Sequence, residues 1–131
     1  MPDSEKITIN MNAVDLGKVD LLVEEGVYSN RTDFIRTAIR SQLEKHTLEV
    51  QQSVARHAFV IGVMTYDRKS LEALKTKGKK LKLTVIGMLS LHKNIPAELA
   101  EEVIESVRVH GVFNASDAVK AALADRTHPQ G

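Results

Sequence analysis

The sequence predicts an α+β protein, in which an N-terminal strand-helix-helix unit is followed by a small α+β C-terminal domain that looks like a degenerate strand-helix-helix repeat. Three observations carry this. Lys6-Ile7-Thr8-Ile9-Asn10-Met11 alternates polar and apolar residues with a period of two, the pattern of a half-buried strand. Two amphipathic helix patterns follow at once, opened by Asn12 and Asn30. Further on, Gly111-Val112-Phe113 followed by Asn114-x-x-Asp117 echoes Gly26-Val27-Tyr28 followed by Asn30-x-x-Asp33. Chance convergence of two capped helix starts is the alternative source of that echo.

A chain of 131 residues suits one domain or two very small ones. No apolar run approaches the roughly 18 residues of a membrane span, and no basic-then-apolar leader opens the chain. A cytoplasmic protein without a membrane partner is expected. The absence of cysteine excludes disulfides, a thiolate nucleophile and thiolate metal sites. With 18 Lys and Arg against 17 Asp and Glu, overall charge does not announce a nucleic-acid binder, so such a reading must rest on local pattern.

In chain order, residues 1–5 read as a loose polar arm and 6–11 as the strand, with Ile7, Ile9 and Met11 on one face. A lone strand of this length is unstable in water and requires a partner strand. Asn12 caps a helix over 13–25 with Leu16, Val19, Leu22 and Val23 as its apolar stripe and Gly26 as its stop. Asn30 and Asp33 open a second helix with Phe34, Ile35, Ala38, Ile39 and Leu43 inward. No Gly or Pro interrupts residues 31–60, so helix is expected on to about 57, with a break near Thr47 as the alternative.

Residues 59–64 form an apolar run of strand length, followed by a short helical pattern with Leu71 and Leu74 that Gly78 ends. A strand is expected over 81–91, a helix from Pro96 through Leu99, Val103, Ile104 and Val107 to Gly111, and a last helix from Asn114. The tail from Thr127 is expected to be disordered. These boundaries divide the chain into residues 1–46, a helical connector at 47–57, and a C-terminal α+β assembly or regulatory domain at 58–131.

Residues 5–45 include Tyr28-Ser29-Asn30-Arg31-Thr32-Asp33 and the run Phe34-Ile35-Arg36-Thr37-Ala38-Ile39-Arg40. Together with the preceding strand and helix, this third of the chain resembles the ribbon-helix-helix repressors of the CopG type. The remainder is similar to C-terminal portions of some bacterial CopG-like regulators. The resemblance implies that two chains pair their strands antiparallel into a ribbon that enters the major groove of double-stranded DNA. It implies Lys6, Thr8 and Asn10 as base readers, and the backbone at Asn30, Arg31 and Thr32 as a phosphate clamp.

Physical chemistry supports those assignments independently. A two-stranded ribbon fits the major groove, where Lys can donate to guanine, Asn can bond adenine bidentately, and Thr can touch a thymine methyl. Free N–H groups at a helix start bind phosphate. The bland reading makes Lys6, Thr8 and Asn10 merely the wet face of an antiparallel strand. Arg36 and Arg40 lie one turn apart and are read either as phosphate contacts or as a solvated face. Residues 1–46 hold more carboxylates than cations, which predicts a modest salt slope; the lysines clustered over 75–82 read as a solvated loop.

Other chemistries find less support. A nickel-responsive regulator joins the same ribbon to a C-terminal ligand domain, but this chain has no His-x-His pair or cysteine ligand, and His46 and His57 would lie about 16 Å apart on a helix. His92 with His110 is the remaining combination, and surface histidines are the plainer reading. No phosphate-cradling Gly loop or nucleophile elbow is present, and the scattered aromatics form no platform for single strands. The expectation is a DNA-binding transcriptional repressor, not an enzyme, with no cofactor and no metal. A homodimer is the default partner arrangement; an intramolecular pseudo-dimer, with strand 83–91 pairing to 6–11, is the competitor. An antitoxin whose C-terminal half masks a toxin is the alternative function.

Overall fold

The computed structural model describes residues 4–128, arranged as two compact units, Lys6–Ser53 and the chain from Val54 onward. In the first unit, helix α1 (Ala13–Glu24) begins where expected, because Asn12 Oδ1 accepts from the Val14 N–H at 2.8 Å and the Asp15 N–H at 3.3 Å. It ends before Gly26, whose φ of +80° releases the chain into the turn. Helix α2 (Arg31–Lys45) follows, and His46 then interrupts the helical path with φ −111° and ψ 18°. The Thr47 hydroxyl donates to the Glu44 carbonyl at 2.8 Å, and α3 (Thr47–His57) resumes beyond it. The residues around Thr47 thus break the rod, while helix still reaches 57.

The second unit is built on a three-stranded parallel sheet, β1 (Val60–Tyr66), β2 (Leu81–Leu91) and β3 (Ile104–Asn114), in the order β1-β2-β3. Helix α4 (Arg68–Thr76) starts on a reciprocal cap, in which the Asp67 carboxylate accepts the Ser70 N–H and the Ser70 hydroxyl accepts the Asp67 N–H. Helices α5 (Ala97–Val103) and α6 (Asp117–Ala122) complete one covered face. There Leu71, Leu99, Val103, Val119 and Leu123 pack with Leu83, Val85, Leu89, Val107 and Val109 in one core. Leu83, Val85, Leu89 and Leu91 share the inward face of β2, as their alternation predicts.

One strand overturns the expected plan. Residues 104–114 form β3, not the continuation of a helix from Pro96 to Gly111. Val103, Ile104 and Val107 satisfy a helical spacing, but Ile104, Val107 and Val109 are β-branched and bury against the middle strand in parallel register, Leu83 opposite Val107 and Val85 opposite Val109. The shortened α5 is closed from outside its own sequence: the Arg126 guanidinium donates to the Glu101 carbonyl at 2.7 Å and the Ile104 carbonyl at 3.0 Å. The degenerate strand-helix-helix repeat is accordingly corrected. Gly111-Val112-Phe113 is strand, not turn, and Ser116, not Asn114, caps the last helix, accepting the Val119 N–H at 3.2 Å.

The intramolecular pseudo-dimer fails for a related reason. β2 is the middle strand and is hydrogen-bonded on both edges, so residues 83–91 have no free edge for residues 6–11. Thr127 and His128 also depart from the expected disordered tail, since the His128 N–H bonds the Val107 carbonyl at 2.8 Å. The rest of that tail, and residues 1–3 of the expected arm, lie outside the described residues.

Gly62, Gly87 and Gly111 stand in one row across the sheet, each with φ beyond +120°. A Cβ at Gly87 would collide with the Gly62 carbonyl, and one at Gly111 with the Gly87 carbonyl. The glycine read from sequence as a helix stop is therefore a packing requirement of the sheet.

Candidate nucleic-acid interface

The interface is carried by the Lys6–Ser53 unit. Lys6, Thr8 and Asn10 are exposed, as are Ile7 at 74% and Ile9 at 61%. Residues 6–11, expected as a strand, form no ladder: strand hydrogen bonds are supplied by a neighbouring strand, and none pairs with them among the described residues. Behind them, a 270 Å³ hollow is lined by Ile9, Met11, Leu16, Val19, Arg31 and Ile35. Val19 is the only buried residue among 6–53, while Val14, Leu21, Ile39 and Leu43 remain exposed. A single chain thus leaves this unit's apolar faces unfilled.

The start of α2 is closely capped. Asn30 Oδ1 accepts the Asp33 N–H at 2.8 Å, and Asp33 Oδ2 in turn accepts the Ser29 N–H at 2.9 Å. The Arg31 and Thr32 N–H groups, in the first turn, have no intrahelical acceptor and carry the positive end of the helix dipole. The Tyr28 ring meets Phe34 edge-on at 5.0 Å and pins the turn to the helix. A 390 Å³ groove beside this start is lined by Ser29, Asn30, Thr32, Asp33, Arg36, Thr37 and Arg40. Neither Arg36 nor Arg40 makes an ion pair among the described residues, so both guanidinium groups stay available at the groove.

Arg31 itself is engaged elsewhere. Its Nε and a terminal nitrogen grip Asp20 at 2.8 and 2.9 Å, tying α1 to α2. Sequence gave no signal for this pair, because eleven residues and a turn separate the partners. It engages the Arg31 guanidinium and leaves its backbone N–H untouched. The hydrogen bond from Arg31, joined by its charge, holds the Asp20 carboxyl below its ordinary range. A depressed carboxylate contributes stability that is present above the ordinary value of about 3.9 and lost as pH falls through the lowered one. Arg31→Ala is therefore expected to flatten the acid limb of unfolding below about pH 4. Denaturation midpoints across that range check it, and an unchanged limb contradicts the tie.

Of the other groups weighed from sequence, Lys75 pairs with Glu102 at 3.2 Å, and the lysines of the 75–82 cluster are exposed, on α4, in the turn after it and, for Lys82, at the start of β2. His110 packs edge-on to Phe59 at 5.1 Å, and the Arg108 guanidinium lies 5.2 Å from the same ring. Among the described residues, no three His, Asp or Glu groups are placed to share a metal ion, and no helix is long and apolar enough to cross a membrane.

An exposed alternating segment stands ahead of two capped helices, with an apolar side left uncovered and first-turn N–H groups at the second helix that lack intrahelical acceptors. Residues 2–120 match the Ribbon-Helix-Helix transcriptional regulator family, and the chain belongs to it. The protein is a DNA-binding transcription regulator. The match extends well beyond the N-terminal third in which the resemblance was legible, and takes in most of the second unit. Over 43 residues the chain is 33% identical to Transcriptional regulator CdrS of Halobacterium salinarum, covering 33% of this chain and 78% of that protein. No solved structure matches the chain.

Proposed function

We propose that a homodimer of this chain represses transcription by inserting an antiparallel two-stranded ribbon into the major groove of double-stranded DNA. Lys6, Thr8 and Asn10 of each chain contact base edges, while the backbone at Asn30, Arg31 and Thr32 clamps phosphate, with Arg36 and Arg40 adding charge at the groove. One observation carries the reading: the 6–53 unit buries Val19 alone and leaves Ile7 exposed and Ile9 exposed at the mouth of an unfilled hollow, an arrangement that a second chain's strand and helices complete. Two-fold symmetry then calls for a pseudo-palindromic operator.

Residues 1–46 form the DNA-binding domain in this proposal, 47–57 the helical connector and 58–131 the assembly or regulatory domain, all in the cytoplasm. The antitoxin alternative draws no support from the second unit, which closes a core of its own. Mass in solution, measured together with DNA binding, tests the arrangement. A dimer is expected across the concentrations at which DNA is bound, and a stable monomer that still binds DNA overturns it.

A further inference from the structure

The face of the sheet opposite α4, α5 and α6 ends in a cleft that the DNA-reading unit does not use. Register places Val63, Thr65, Met88, Ser90 and Asn114 together on this face, at the carboxyl ends of all three strands. The β2–α5 turn, at His92 and Lys93, and the entry to α6, at Ala115 and Ser116, complete a cleft of 610 Å³. That size suits a small molecule, and the carboxyl ends of parallel strands are where open α/β sheets hold ligands.

The chemistry of the lining is one-sided. Val63 and Met88 supply an apolar floor, and the end of β2 at Leu91, whose side chain is buried on the other face, closes it. The polar groups are the Thr65, Ser90 and Ser116 hydroxyls, the Asn114 amide, the His92 ring and the Lys93 ammonium, and among the described residues no carboxylate lines the cleft. His92 Nδ1 accepts the Asn94 N–H at 3.0 Å, which leaves Nε2 as the ring's donor. The Ser116 oxygen already accepts the Val119 N–H, so its remaining hydrogen is free to donate. The rim is braced: the His92 N–H bonds the Tyr66 carbonyl at 2.9 Å, and the Arg68 N–H bonds Asn94 Oδ1 at 3.1 Å, joining the β2–α5 turn to the ends of β1 and α4. Donors and one cation set around an apolar floor select an anion with a short hydrocarbon part.

We infer that this cleft binds a small organic anion, a carboxylate or phosphate bearing a short apolar chain, with Lys93 and the neighbouring hydroxyls on the anionic head and Val63 and Met88 under the chain. Its use as an effector site rests on the chain being a regulator; the binding itself does not, so it is tested on the full-length protein without DNA. Hexanoate, butyl phosphate, inorganic phosphate and hexanol are titrated while amide and methyl NMR shifts are followed. Saturable shifts at Ser90, Lys93 and Met88 are expected with hexanoate or butyl phosphate at about millimolar concentration, and the stronger of the two tells carboxylate from phosphate. Inorganic phosphate, without the chain, and hexanol, without the charge, are expected to bind more weakly. Lys93→Gln, at an exposed position, is expected to weaken the better probe about tenfold while leaving the thermal midpoint of the free protein unchanged. Shifts that never saturate, equal binding by Lys93→Gln, or shifts in Val63 and Met88 that follow protein concentration instead of probe overturn the inference; the last outcome assigns the face to a second copy.

Discussion

Ile9→Asp is expected to abolish both the dimer and DNA binding. In one chain Ile9 is 61% exposed at the mouth of the hollow formed with Met11, Leu16, Val19 and Ile35. In the proposed ribbon its side chain is buried between two chains, so an aspartate there places an unpaired carboxylate in an apolar seam. Such a charge costs at least several kcal/mol, comparable with the whole stability of a small domain. The variant is expected to sediment as a monomer, lose the helix signal of residues 13–45, and show no specific DNA affinity. The second unit, with its own core, is expected to keep its cooperative unfolding transition. Thr8→Asp, on the opposite face of the same strand, is the control: it should leave the dimer intact and impair DNA binding through charge alone. A dimeric Ile9→Asp protein would remove the ribbon from the account.

The second large effect is placed in the sheet. Gly87→Ala is expected to destabilise the second unit by about 3 kcal/mol or more, combining backbone strain at positive φ with a steric collision. Gly87 has φ +136°, and the added methyl meets the Gly62 carbonyl, a backbone atom held by the parallel pairing of β1 with β2. Neither contact relaxes by rotating a side chain. Gly17→Ala has the opposite expected sign. Gly17 lies within α1 with open space around its Cα and no positive φ, so alanine there should stabilise the helix by about 0.5–1 kcal/mol. Chemical denaturation of both variants separates the two effects, and equal shifts would contradict the packing described for the glycine row.

These two predictions also mark how far the sequence could be read. The elements around α1 and α2 were legible because they are specified locally: Asn12, Gly26, Asn30 and Asp33 act on backbone within a few residues of themselves. The helical pattern of α4 with its stop at Gly78 and the strand over 81–91 were legible for the same reason, whereas the Asp67 cap was not read. β3 was not, since Val103, Ile104 and Val107 fit a helix as well as a strand, and only pairing with β2 decides between them. A helix over 104–111 makes Gly111 its stop and turns the echo of Gly26 into a repeat. The row Gly62, Gly87, Gly111 is visible only when three strands are aligned.

The candidate site shows the same division. Lys6, Thr8 and Asn10 follow from alternation alone; in a single chain they and the alternating Ile7 and Ile9 are all exposed, so one chain does not set the two faces apart. The Asp20–Arg31 tie and the Tyr28–Phe34 contact are tertiary, arising from how α1 and the turn pack against α2, and no spacing announces them. The cleft at the strand ends could not be anticipated either, because it depends on β3 lying beside β2.

The central claim is that the outward face of the ribbon reads sequence. DNA selected from a random pool by the full-length protein supplies the specific site, and affinity for it and for unrelated DNA is measured at one fixed salt concentration. Lys6→Ala combined with Thr8→Ala, in a variant shown to remain dimeric and folded, is predicted to lower affinity for the selected site by about 1–3 kcal/mol per lost base contact. Affinity for unrelated DNA should fall only by the share of one lost cation, leaving little discrimination between the two. Undiminished preference for the selected site in that variant would contradict the assignment of the ribbon as the reader.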